Sequence, residues 1–123
     1  MDEKKTILVV DDEESIAFLF QEMLKQLGYA VDVAFTAEQA FQTFSSDPDL
    51  YALVLTDQML PEMKGKGLIQ RLLNCRADLP IILCSGMGEM EMSTLKEWGV
   101  RSCLQKPIGF EDLARVVKEI LED

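Results

Sequence analysis

The sequence predicts an α/β fold built on a parallel sheet, and three observations carry that prediction. Short apolar runs rich in Val, Ile and Leu alternate with amphipathic stretches in five successive pairs, the pattern of strands joined by crossover helices. Runs such as Leu8-Val9-Val10 and Leu53-Val54-Leu55 are apolar without interruption, as strands covered on both faces must be. The length of 123 residues supplies about one core, because single domains run roughly 100–200 residues. One domain over residues 1–123 is therefore expected, with no output domain in this chain and any second activity on another.

The strands are predicted at Thr6–Val10, Ala30–Ala34, Ala52–Thr56, Pro80–Ser85 and Ser102–Leu104. The second carries Asp32, which marks it as an edge strand. The first helix places Ile16, Leu19, Phe20, Met23, Leu24 and Leu27 on one stripe, with Gly28 positioned to end it. The second starts at a capping box of Thr36 and Gln39, turns Ala37, Ala40, Phe41 and Phe44 inward, and breaks at Asp47-Pro48. The third buries Leu68, Ile69, Leu72 and Leu73. The fifth buries Phe110, Leu113, Ala114, Val117, Ile120 and Leu121, with Glu111 and Asp112 at its positive end. The fourth, near Glu89–Trp98, shows only Met90, Leu95 and Trp98 at rough helical spacing, so its packing is expected to be loose. There is no internal repeat or low-complexity tract.

Charge narrows the function. With 12 Lys and Arg against 22 Asp and Glu, the net charge is −10, which opposes direct binding to nucleic acid or to an anionic membrane. The absence of histidine excludes Ser-His-Asp and Cys-His catalysis, His-ligated zinc and a phosphohistidine within this chain. Cys75, Cys84 and Cys103 are odd in number and without tight spacing, which argues against a disulfide framework and for a reducing cytoplasm. Only Ile7 to Val10 are apolar before Asp11, too few for a signal segment or membrane span, so no membrane insertion is expected.

Parallel strands put their C-terminal ends on one rim, where open α/β sheets bind ligands. There the sequence collects Asp11-Asp12, Thr56-Asp57, Ser85-Gly86 and Lys106-Pro107. Carboxylates held this close cannot all ionise unaided, so a proton or a cation is required. Mg²⁺ suits the set, with Mn²⁺ possible in its place, since it takes oxygen ligands and is held by one or two carboxylates plus phosphate. An Asp so placed can attack phosphorus and form an aspartyl phosphate, with Lys106 spreading the charge and Ser85 donating to the product oxygens.

These motifs resemble the receiver domains of two-component response regulators, the chemotaxis regulators among them, over essentially the whole chain. Val9-Val10-Asp11-Asp12-Glu13 is similar to the family's acidic pair, Asp57-Gln58-Met59-Leu60-Pro61 with Gly65 to its phosphoacceptor loop, Ser85-Gly86 to its hydroxyl and small residue, and Lys106-Pro107 to its lysine, often before a cis proline. The resemblance implies a doubly wound, flavodoxin-like sheet in the order 2-1-3-4-5 with five helices. It implies Asp57 as phosphoacceptor, Asp12 as a direct Mg²⁺ ligand, Asp11 as a ligand largely through water, and the Met59 backbone carbonyl as a further ligand. The donor would be a histidine kinase or histidine phosphotransfer protein, and the output partner is unspecified. The chain is then a phosphoacceptor rather than an enzyme, limited to self-phosphorylation from small donors and slow autodephosphorylation.

One position departs from the family. Cys103 stands where members usually carry Tyr or Phe, so readout is expected to rely on the loop after the fourth strand and on the surface of helix four, strand five and helix five, where Met90, Met92 and Trp98 with Met87 form an adaptable apolar face. Met59 and Met87 lie two residues past Asp57 and Ser85, where family members tune hydrolysis. Apolar side chains there cannot orient water, which underlies the slow autodephosphorylation. Phe18 lies opposite the stripe of the first helix, and with Ile108 it is a candidate anchor for the phosphodonor. Three alternatives stand beside the switch. A phosphorylation-independent interaction module is suggested by Cys103. A phosphohydrolase resembling the haloacid dehalogenases would want an Asp where Met59 stands, and a flavin carrier would meet the charge of Asp11-Asp12-Glu13-Glu14.

Overall fold

The computed structural model describes residues 4–58, 60, 65–85 and 92–122. Strands β1 (Thr6–Val10), β2 (Ala30–Ala34), β3 (Tyr51–Asp57), β4 (Ile81–Ser85) and β5 (Ser102–Gln105) alternate with helices α1 (Glu14–Gln26), α2 (Ala37–Ser46), α3 (Gly65–Cys75), α4 (Met92–Trp98) and α5 (Phe110–Leu121). All strand pairs are parallel, and the order is β2-β1-β3-β4-β5. This is the doubly wound fold that the sequence predicts, with β2 at an edge. β3 runs one residue further at each end than predicted.

Side-chain alternation along the strands sorts the core into two layers. Leu8, Val10, Val54, Ile81 and Leu83 pack under α2, α3 and α4, with Phe44, Leu68, Ile69, Leu72 and Leu95. Ile7, Val9, Leu53, Leu55, Ile82 and Leu104 pack under α1 and α5, with Phe20, Leu24, Leu113 and Val117.

Two predicted stripes are rotated. On α1 the buried residues are Ala17, Phe20 and Leu24, while Leu19 is 48% exposed. On α5 Val116 is buried in addition to Leu113, Val117 and Leu121, and Phe110 is 39% exposed. In α1 the small Ala17 faces the sheet, where it lets the helix approach closely, and a count of large apolar residues passes over it.

Helix ends follow their sequence signals. Gly28 (φ 101°) and Gly99 (φ 95°) occupy left-handed positions after α1 and α4, and each closes a Schellman turn. Tyr29 N donates to Leu24 O at 3.1 Å and Gly28 N to Lys25 O at 3.0 Å, while Val100 N donates to Leu95 O at 3.0 Å and Gly99 N to Lys96 O at 3.0 Å. Thr36 Oγ1 caps α2 by accepting from Gln39 N at 3.0 Å. The return bond of the predicted box runs to Phe35 N at 2.8 Å rather than to Thr36 N. α4 begins at Met92, and residues 89–91 of the predicted segment lie outside the described residues.

At the end of the sheet opposite the rim, Lys5 Nζ donates to the Leu121 carbonyl and Tyr29 OH to Glu122. Tyr51 OH donates to Asp32 Oδ2 at 2.6 Å. Among the described residues, no helix is long and apolar enough to cross a membrane.

Candidate functional site

Register brings the strand ends level. Val10 pairs with Thr56, Asp57 with Cys84, and Ser85 with Gln105, so Asp11, Asp57, Ser85 and Lys106 meet at one rim. Alternation sets where they point: Asp57 follows Leu53 and Leu55 toward the α1/α5 layer, and Ser85 follows Ile81 and Leu83 toward the other layer.

Asp11 is 1% exposed, Asp57 8% and Ser85 7%, whereas Asp12 is exposed. Burying carboxylates requires partners. Asp11 Oδ1 accepts from Glu13 N at 3.0 Å, an Asx turn at the entry of α1. Its Oδ2 accepts from Lys106 Nζ at 2.9 Å, and the same ammonium lies 3.5 Å from Asp57 Oδ2. Lys106 is held in place by its backbone, which donates to Ser85 O at 2.8 Å, and the Lys106–Pro107 peptide is cis. Burial lowers the affinity of the Lys106 amine for its proton, but the Asp11 hydrogen bond and the charges of Asp57 and Asp11 outweigh this and leave it above its usual value. Cys84, beside Asp57, is pushed far above the ordinary thiol range, chiefly by burial.

One oxygen each from Asp11, Asp12 and Asp57 lie within 4.8 Å of one another. An all-oxygen set on carboxylates is the donor chemistry of a hard divalent cation, and Mg²⁺ fits it better than a softer metal does.

The remaining predicted residues are placed as follows. Phe18 is 47% exposed and meets Phe35 edge to face at 5.7 Å. Pro107 and Ile108 line a hollow of about 280 Å³ with Ile16, Leu19, Phe20 and Lys106, so the exposed α1 residue grouped there with Ile108 is Leu19 rather than Phe18. Cys103 is half-buried and packs, as does Trp98, against the α2/α3/α4 layer. Cys84 belongs to the opposite layer, so the sheet separates the two thiols. Met59, Gly86 and Met90, with Met63 and Met87, lie outside the described residues.

Sequence reasoning did not single out Leu19 as a lining residue or Lys66, which stacks on Trp98. For Leu19 the signal was present in the neighbouring Ala17.

The chain is similar to known proteins in sequence and in fold. The chain is 33% identical over 120 residues to a probable transcriptional regulator, ycf27, of Pyropia yezoensis, covering 97% of this chain and 48% of the relative. It is 34% identical over 116 residues to the two-component response regulator ARR14 of Arabidopsis thaliana, covering 94% of this chain and 30% of the relative. The chain thus spans half or less of the length of these relatives. A receiver domain protein of Methanospirillum hungatei, described as CheY-like, superposes with a TM-score of 0.90 at 29% identity, covering 98% of this chain and 95% of that one. Residues 7–118 match the response regulator receiver domain, a span that holds Asp11, Asp12, Asp57, Ser85 and Lys106, and the chain belongs to that family.

Proposed function

We propose that the chain is a phosphoacceptor switch in which Asp57 takes a phosphoryl group from a phosphohistidine of a histidine kinase or histidine phosphotransfer protein in the cytoplasm. The observation that carries this reading is Lys106, whose ammonium reaches both Asp11 and Asp57 beside a third carboxylate, Asp12. A carboxylate oxygen of Asp57 attacks phosphorus, the new P–O bond forms as the P–N bond breaks, and the electron pair of that bond returns to the donor imidazole. Lys106 stands where charge gathers on the transferring group. Asp11, Asp12 and Asp57 would hold Mg²⁺ or Mn²⁺, with the Met59 carbonyl as a further ligand, and the bound ion would neutralise phosphoryl oxygens. Ser85, at the same rim, supplies a hydroxyl to the product.

Residues 1–123 act in this reading as one receiver unit. The donor approaches the α1 face at Phe18, Leu19 and Ile108. Output passes to a partner through Gly86, Met90, Trp98, Cys103 and Pro107, on the loop after β4 and the α4/β5/α5 surface, and the net charge of −10 favours a protein rather than DNA as that partner. Met59 and Met87 leave hydrolysis slow.

The test is intact mass after incubation with acetyl phosphate and Mg²⁺, with and without EDTA. The expected result is one added phosphoryl group, absent with EDTA and in Asp57→Asn. A folded protein that gains none, and also fails to bind beryllofluoride, would instead be a phosphorylation-independent interaction module.

A further inference from the structure

Helices α3 and α4 are the first elements downstream of Asp57 and Ser85. Among the described side chains of α4, Leu95 alone is buried. Between the two helices lies an open groove of about 580 Å³, lined by Lys66, Gln70, Leu73, Asn74, Glu97 and Trp98. Beside the core that Leu95 shares with Leu68, Ile69 and Leu72, two contacts border the groove. Leu73 of α3 seats against the turn that ends α4, where a Cβ on Gly99 would lie 2.5 Å from Leu73 Cδ1. The Lys66 ammonium sits 5.3 Å from the centroid of the Trp98 ring, within cation–π range. Among the described residues, no carboxylate pairs with Lys66.

We infer that Lys66 and Trp98 form a clasp that fastens α4 to α3, so that a change at Asp57 reaches the outer face of α4 through α3. Lys66 lies in the first turn of α3 and Trp98 in the last residue of α4. The clasp therefore ties the helix that follows the phosphoacceptor strand to the helix that follows the Ser85 strand. Both residues are positioning residues and neither touches the reacting atoms. The second half of the inference rests on the phosphoacceptor reading, and the first half does not.

Two measurements test it on wild type, Lys66→Met and Lys66→Arg. Met keeps the length of the side chain without its charge, and Arg restores a cation over the ring. In hydrogen exchange, Lys66→Met is expected to speed amide exchange in both α3 and α4 by roughly two- to fivefold, the measure of one exposed cation–π contact, with Lys66→Arg near wild type. Exchange unchanged in Lys66→Met, or raised in α3 alone, would overturn the clasp. The second readout is the emission of Trp98, the sole tryptophan, on adding beryllofluoride and Mg²⁺, with binding followed separately by fluorine NMR. Emission is expected to shift in wild type and Lys66→Arg and to lose most of that shift in Lys66→Met. Bound beryllofluoride without a shift in wild type, or with an equal shift in Lys66→Met, would overturn the transmission. Failure of beryllofluoride to bind would instead overturn the phosphoacceptor reading and, with it, the transmission, leaving exchange to decide the clasp.

Discussion

Lys106 Nζ lies nearer to Asp11, at 2.9 Å, than to Asp57, at 3.5 Å. Asp11 is the more buried of the two, and removing the cation from a buried carboxylate leaves its desolvation uncompensated. Lys106→Met is therefore expected to lower stability by about 1–3 kcal/mol in the absence of divalent cations. Three clustered carboxylates without the ammonium attract a divalent cation more strongly, so Mg²⁺ should raise the melting temperature of Lys106→Met more than that of wild type. Thermal melts with EDTA and with Mg²⁺ check both expectations.

Alkaline stability follows from groups that hold their protons more tightly when folded. Burial raises Cys84 above its ordinary 9.0, and burial aided by Glu122 and by Asp32 raises Tyr29 and Tyr51 above 10.0. A folded-state pKa above the unfolded one contributes stability that is complete below the unfolded value and is lost as pH climbs from there toward the folded value. Stability should begin to fall near pH 9, where Cys84 leads. In Cys84→Ala the fall from pH 9 should shrink to the share of Cys103, whose thiol burial also raises, with the rest of the loss displaced toward pH 10, where the tyrosines take over. Urea midpoints across pH 8 to 11 would show the displacement.

The two left-handed glycines differ in their surroundings. A Cβ at Gly28 meets nothing within 4 Å, whereas at Gly99 it meets Leu73 at 2.5 Å. Gly28→Ala is expected to cost about 1–2 kcal/mol from backbone conformation alone. Gly99→Ala should cost about 1–3 kcal/mol more through overpacking. A double-mutant cycle with Leu73→Ala should return a favourable coupling for Gly99 and none for Gly28.

If the donor docks on the α1 face, it meets the hollow beside Ile108, and Leu19 is the exposed α1 residue that lines it. Leu19→Ala should slow transfer from a cognate phosphohistidine protein about tenfold, as one anchor residue does, without changing labelling by acetyl phosphate. Phe18, engaged with Phe35, should matter less. Rapid-quench phosphotransfer assays on both variants would rank them.

Much of this was legible because it depends on spacing. Strand ends follow from apolar runs stopping at Asp11, Asp57 and Ser85, and parallel pairing then forces those residues onto one rim. Helix caps at Thr36, Gly28 and Asp47-Pro48 follow from local backbone chemistry. Helix rotation was less legible. Leu19 and Phe110 count toward an apolar stripe, yet the direction a helix faces is decided by which side fits the sheet, and Ala17 and Val116 decide it here. The partner of Lys106 depends on distances between three separate strands, and the Lys66–Trp98 contact joins residues 32 positions apart, so no local pattern announces either.

The sheet itself has a consequence for how a signal would divide. Asp57, Lys106 and Asp11 belong to the side of the sheet that carries α1 and α5, whereas Ser85, Cys103 and Trp98 belong to the side that carries α2, α3 and α4. The strands act as a partition between the two layers, and the charged residues gather at its rim. A charge placed on Asp57 is met on one side by the residues that receive it, and it is felt on the other by way of the rim, through the Ser85 hydroxyl and through α3, the helix that follows the Asp57 strand.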